Sequence, residues 1–146
     1  MTLFETPPDT QKKSRFITWL ALAAVVVLGL LLYFRFRYYG EEKAADQFFA
    51  AVVAGDMNRA YQLWKPGPNY TMQDFLADWG PDGYYGPVKS FKIDETRAPK
   101  GGSGVIVSVE VSPFAPFPDG DIEKGRHTKN VRIWVESKDK SLTFPP

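Results

Sequence analysis

Nineteen consecutive positions, Phe16 to Phe34, carry no charge, and Thr18 is their only aliphatic polar residue. A helix over this run is roughly 28 Å long, close to the ~30 Å hydrocarbon core of a bilayer. It has no polar face, which a helix packed on a small soluble core would show. The pattern predicts one transmembrane helix, with the Thr18 hydroxyl bonded back to a carbonyl of the preceding turn. A cleaved signal peptide carries a shorter apolar run ending in small residues. Here the run leads into Tyr33, Phe34, Arg35, Phe36, Arg37, Tyr38 and Tyr39, which suits an uncleaved anchor. Trp19 marks one interface; Tyr33, Arg35, Arg37, Tyr38 and Tyr39 form an aromatic-basic collar at the other.

Beyond Gly40 the period changes. In EEKAADQFFAAVVAG, acidic residues open a helix, Ala45, Phe49 and Val52 recur at helical spacing, and Gly55 closes it. Gly40 costs a helix only about 1 kcal/mol, so the membrane helix can run on into this one. Asp56 caps a second helix, MNRAYQLW, which stops before Pro66. KPGPNY reads as a loop. Thr71 with Asp74 forms a capping box for a third helix, ending at Trp79 before Gly80-Pro81. Strands follow. Val88 to Glu95 places Phe91 and Ile93 inward. Val105, Val107, Val109 and Val111 alternate with Ile106, Ser108, Glu110 and Ser112. Residues 113–126 are a Pro-rich loop. Val131, Ile133 and Val135 alternate in a third strand, and Ser137-Lys138-Asp139-Lys140 turns into a short fourth with Leu142 and Phe144. Three helices followed by four antiparallel strands argue for an α+β class, with helices on one face of a curved sheet. The expected domains are a flexible tail (1–15), a transmembrane helix with its collar (16–39) and a soluble α+β domain (41–146).

Charge refines this picture. From Arg35 onward there are 15 basic and 15 acidic residues, so no general attraction to phosphate backbones exists and nucleic acid is not an expected partner. Lys12, Lys13 and Arg15 balance Arg35, Arg37 and Lys43 across the span, leaving orientation to domain length. Long domains translocate largely regardless of charge, which places the soluble part outside, on a periplasmic or extracytoplasmic side. The absence of Cys removes disulfides, thiolate zinc sites and Cys nucleophiles. Fourteen of the 22 aromatic residues lie after Gly40, enough for a core in about a hundred residues.

The stretch AADQFFAAVVAGDMNRAYQLW, a helix with Gly-Asp leading to a second helix bearing Ala60, Tyr61 and Trp64, resembles the nuclear-transport-factor-like, or cystatin-like, fold over roughly Glu41 to Phe144. The resemblance implies a cone of helices on a curved antiparallel sheet. Membrane-anchored members include inner-membrane assembly components of type IV secretion systems, similar in layout. The fold hosts enzymes and pure binding modules alike, so it does not specify a function. Its enzymes use Asp, His or Tyr in a cavity between helices and sheet.

Residues that bear on chemistry are few. His127 is the single histidine, beside Arg126 and Lys129 with no orienting partner nearby in sequence; a solvated strand-end role competes with a catalytic one. Asp74 and Asp78 are i,i+4 on the third helix, either an acid–base pair or an exposed, mildly repelling face. Tyr61, Trp64, Phe75, Trp79, Tyr84 and Tyr85 either line an apolar ligand pocket or build core. Phe114 and Phe117, set among prolines, either tuck under the sheet or form an interaction loop for a partner or membrane surface. Asp119, Asp121 and Glu123 open like a calcium loop, but Lys124 and Asn130 replace the required Gly and Glu. Asn69-Tyr70-Thr71 matches a glycosylation acceptor. No catalytic set, metal site or cofactor motif is read. The expectation is a non-enzymatic membrane-anchored interaction or assembly domain, its partners the lipid bilayer and other membrane or envelope proteins or itself. The alternatives are a tethered module binding a small apolar ligand, with an enzyme as its variant, and a lipid-surface protein using the RFRYY belt.

Overall fold

A computed structural model describes residues 10–64 and 67–146 and separates two compact units, divided between Arg37 and Tyr38. The first is dominated by one long apolar helix, α1 (Thr10–Phe36). Its most apolar 18-residue stretch has no residue buried within the protein, and by length and composition it suffices to cross a membrane. The Thr18 hydroxyl donates to the Ser14 carbonyl at 2.8 Å, one turn back as expected. Helix α1 begins six residues before Phe16, so residues 10–15 of the expected flexible tail are helical; residues 1–9 lie outside the described set. Lys12, Lys13 and Arg15 are compatible with a helix, and propensity carries it back to Thr10.

The second unit begins with α2 (Tyr39–Val53), which contains Gly40. Helical backbone pauses at Arg37 and Tyr38, so the expected boundary after Tyr39 moves forward. The reason is packing: Tyr38 is half-buried against the core of this unit. Gly55, at φ +77°, closes α2. Its N–H donates to the Val52 carbonyl, and the Asp56 N–H to the Ala51 carbonyl, the paired bonds of a left-handed C-terminal cap that glycine makes without strain. Asp56 then caps α3 (Met57–Trp64) by accepting from the Arg59 N–H. Thr71 and Asp74 form the expected reciprocal box at the start of α4 (Met72–Trp79). The start of the loop between these helices, at Lys65 and Pro66, lies outside the described residues.

The sheet is four-stranded and antiparallel, in sequence order: β1 (Ser90–Arg97), β2 (Gly104–Ser112), β3 (Lys129–Glu136) and β4 (Leu142–Thr143). Each strand follows its neighbour through a reversal, so the alternating rows on β2 and β3 land on one face. There Val105, Val107, Val109, Val111, Val131, Ile133 and Val135 are buried, and α2 packs across β1, β2 and β3. The helices answer with Ala45, Phe48, Phe49 and Val52, joined by Trp64, Phe75 and Trp79. Strand β1 starts at Ser90 instead of Val88 and runs on to Arg97 because a bulge at Asp94 shifts the register between Ile93 and Glu95. That bulge breaks the alternation on which the shorter strand assignment rests. Within the Pro-rich loop a single helical turn, α5 (Ile122–Gly125), is capped by Asp121.

A long-range ion pair ties the unit's beginning to its end. Glu41, in the first turn of α2, accepts from Lys140 at 3.0 Å. Lys140 closes the β3–β4 turn with φ +57°, a conformation that costs a non-glycine residue free energy. Its ammonium also donates to the Ser137 carbonyl at 2.7 Å. Burial opposes ionisation of Glu41, but bonds from Lys140, its own N–H and Ser137 outweigh it and hold the carboxyl below its usual range. The pair's stabilisation is therefore present above the ordinary carboxylate value of 4.5 and is lost as pH falls through the depressed folded value. Lys140→Met strands a buried carboxylate, tempered by the lysine's 41% exposure, and costs about 1 kcal/mol at neutral pH. Urea titrations followed by tryptophan fluorescence should show this gap closing as pH falls below 4.5.

Candidate functional site

The segment after α4 is forced into a tight course. The N–H groups of Tyr84 and Tyr85 donate back to the carbonyls of Ala77 and Asp78, satisfying the helix end. Gly86 passes so close to Gly80 that a Cβ would lie 1.8 Å from its carbonyl oxygen, so no other residue fits. This course brings Tyr85, Gly86 and Pro87 to the end of the sheet where β2 finishes and β3 begins. With Val111, Pro113, His127 and Lys129 they enclose a cleft of about 200 Å³. It lies at the end of β3 opposite the Glu136–Lys140 turn that meets Glu41, roughly 24 Å away along an eight-residue strand.

Two basic side chains at this cleft, Lys129 and His127, pack on aromatic rings. Lys129 donates to the Tyr84 carbonyl and places its ammonium 4.9 Å from the Tyr84 ring centre. His127 meets the Phe114 ring edge-on, with centroids 5.8 Å apart. Burial, followed by the neighbouring Tyr84 and Asp78, pushes the Tyr85 hydroxyl up, keeping it a neutral O–H group. The structure thus joins three stretches that are separate in sequence: the Gly/Pro/aromatic loop, the Pro-rich loop and the single histidine.

The six aromatic pocket candidates divide. Trp64, Phe75 and Trp79 are buried, packed on Phe48 and Phe144 with ring centroids 4.9–6.2 Å apart. Their rings fill space against one another. Tyr61 is half-buried at the rim and donates to the Tyr70 carbonyl at 3.0 Å. Tyr85 stacks on Trp79 and borders the cleft, while Tyr84 is 68% exposed. Asp74 is occupied in the α4 cap, whose N–H and hydroxyl bonds from Thr71 hold it below the usual carboxylate range. Asp78 accepts from the Tyr70 hydroxyl at 2.5 Å, and burial together with this carboxylate pushes the phenol up. Both carboxylates thereby fasten the 67–71 segment to α4.

Phe114 and Phe117 are half-buried, each faced by a lysine: Lys124 at 5.6 Å and Lys92 at 5.9 Å. A second cleft of about 310 Å³ includes Phe117, Glu110, Asp119, Asp121 and Ile122, and Asp119 pairs with Lys92 at 3.3 Å. Among the described residues no group of three or more His, Asp or Glu converges as metal ligands do. On α1, Trp19 and Tyr33 are 70% and 63% exposed. Arg35 lies over the Phe36 ring and Arg37 over Phe34. Tyr39 is exposed on the first turn of α2. Lys129 as an arm of a cleft is not legible in sequence; the only signal is the basic run Lys124 to Lys129 beside a stretch rich in aromatics.

Comparison with family models, with curated proteins and with solved structures finds no match for this chain.

Substitutions separate core from surface among the candidates. Trp79→Ala should lose about 3–5 kcal/mol, as large core truncations do. Trp79→Phe should lose much less, because the buried indole N–H has no hydrogen-bond partner to forfeit. Tyr84→Ala should stay within about 0.5 kcal/mol. Thermal and urea unfolding measure all three.

Proposed function

We propose that this chain is a single-pass membrane protein in which α1 is an uncleaved anchor carrying a non-enzymatic, cystatin-like interaction module on the extracytoplasmic side. Its partners are the lipid bilayer and other membrane or envelope proteins or further copies of itself. The observation that carries the reading is α1: 27 residues, a charge-free centre and an apolar stretch with nothing buried, which in water would expose a long greasy surface. The aromatic and arginine residues at its end suit the polar boundary of a bilayer. The assembly role draws on the second unit. Asp74 and Asp78 serve local structure, and His127 touches an aromatic ring with no carboxylate among the described residues to orient it. Tyr84 and Ile122, 68% and 77% exposed, are apolar contact points on two loops. The balanced charge of this unit supports partners other than nucleic acid.

A small-ligand reading draws on the cleft bordered by Tyr85, since Trp64, Phe75 and Trp79 fill their own space.

A full-length chain tagged at its C-terminus should resist alkaline carbonate extraction and keep its intact mass. Release into the supernatant, or a mature form lacking the first helix, overturns the anchor. Photo-cross-linking from position 84 in native membranes should give discrete higher-mass species; a chain that stays uncoupled overturns the interaction role. A C-terminal reporter that works only outside the cytoplasm should be active.

A further inference from the structure

The cleft at the Val111–Lys129 end of the sheet combines an apolar wall with a polar edge that includes the Lys129 ammonium. Tyr85, Pro87, Val111 and Pro113 supply the wall, and His127 and Lys129 the edge. No Asp or Glu lines it. Neither Lys129 nor His127 has an ion-pair partner among the described residues, whereas Lys92, Arg126 and Lys140 each have one. Among the described residues one of the three donors of the Lys129 ammonium is directed to a protein acceptor, the Tyr84 carbonyl. The neighbouring 310 Å³ cleft has the opposite character, with Glu110, Asp119 and Asp121 in its lining.

Size narrows the occupant. A site for a drug-sized molecule encloses about 300–1,000 Å³. At about 200 Å³ this cleft holds a single side chain or a small acid. Its walls are fixed as well as small. The Tyr84 and Tyr85 N–H groups bond the Ala77 and Asp78 carbonyls and tie this wall to the end of α4, and Val111 is 2% exposed within the sheet. A rigid apolar slot with an unpaired ammonium and an imidazole at its edge suits a carboxylate on a short apolar stem.

We propose that the cleft formed by Tyr85, Pro87, Val111, Pro113, His127 and Lys129 is a binding site for a single carboxylate-bearing apolar group. The carboxylate meets Lys129 and His127, and the stem lies against Val111 and the two prolines. For the source of that group the proposal rests on the interaction reading above: an acidic residue of a partner protein enters the slot. A free short-chain acid carries the same chemistry.

The single histidine makes the test direct. Full-length protein with isotope-labelled histidine, in an uncharged detergent, gives one imidazole signal set, that of His127. Isobutyrate, its neutral analogue isobutyramide and a capped peptide with a central glutamate are titrated separately. Isobutyrate should shift the signals saturably, on the order of 1 mM for a ligand this small, and isobutyramide should not. Lys129→Met should weaken binding about tenfold, the loss expected for one hydrogen bond to a charged group. Val111→Phe, which fills the slot, should abolish it, and Val111→Ala keeps the test valid if the larger residue unfolds the chain, by weakening binding while leaving the fold. Saturation by the peptide assigns the group to a protein partner, and saturation by isobutyrate alone assigns it to a free acid; both support the site. Equal shifts with isobutyramide, or no saturable shift with either carboxylate, overturn it. Failure here leaves the cross-linking result untouched, so the two readings fall separately.

Discussion

The second unit depends on one constraint: two rows of branched aliphatic side chains on β2 and β3 must be covered by a helical layer rich in aromatic rings. Valine and isoleucine make a flat, stiff surface that cannot reach upward to fill space. Phe48, Phe49, Trp64, Phe75 and Trp79 supply the missing volume. They meet mostly edge-to-face, as ring quadrupoles favour, with Phe48 touching four of the other rings. Much else is arranged to present those rings. The Gly55 reversal turns α3 back over α2, the Thr71–Asp74 box starts α4 where Phe75 and Trp79 point inward, and Phe144 closes the stack beyond β4.

The same packing explains why the apparent aromatic pocket and the actual cleft are different places. Rings buried to 0–3% exposure leave no room among themselves. The 200 Å³ cleft lies instead at the sheet end, where β2 and β3 are joined by a 16-residue connection whose prolines cannot donate to the ladder. Loops set the walls there, and the polar residues are those of strand ends. A rigid core with a loop-lined cleft at one end is the arrangement on which binding residues are commonly mounted.

Much of the fold is legible in sequence because it is written in local chemistry. The valines of β2 alternate without interruption, Asp56 and Thr71 stand where helices need acceptors, and Gly55 marks a left-handed turn. What escapes reading is non-local or breaks a period. The Asp94 bulge reverses the inward and outward sense of β1 midway. Helix α1 reaches back to Thr10 through residues whose polarity resembles a tail. Tyr38 belongs to the collar by composition and to the core by packing. The cleft needs Tyr85, Val111 and Lys129 together, and no spacing rule connects them. Whether a ring lines a pocket or fills a core depends on its neighbours in space, which its own sequence context does not give.

The Glu41–Lys140 pair also bears on the order of folding. It closes a loop of 99 positions, nearly the whole second unit, and one ion pair gains far too little to offset that closure from an extended chain. It forms after the sheet has brought the β3–β4 turn to the first turn of α2. The pair thus adds its stabilisation only once the sheet is in place, and it couples the two ends of the unit without nucleating either.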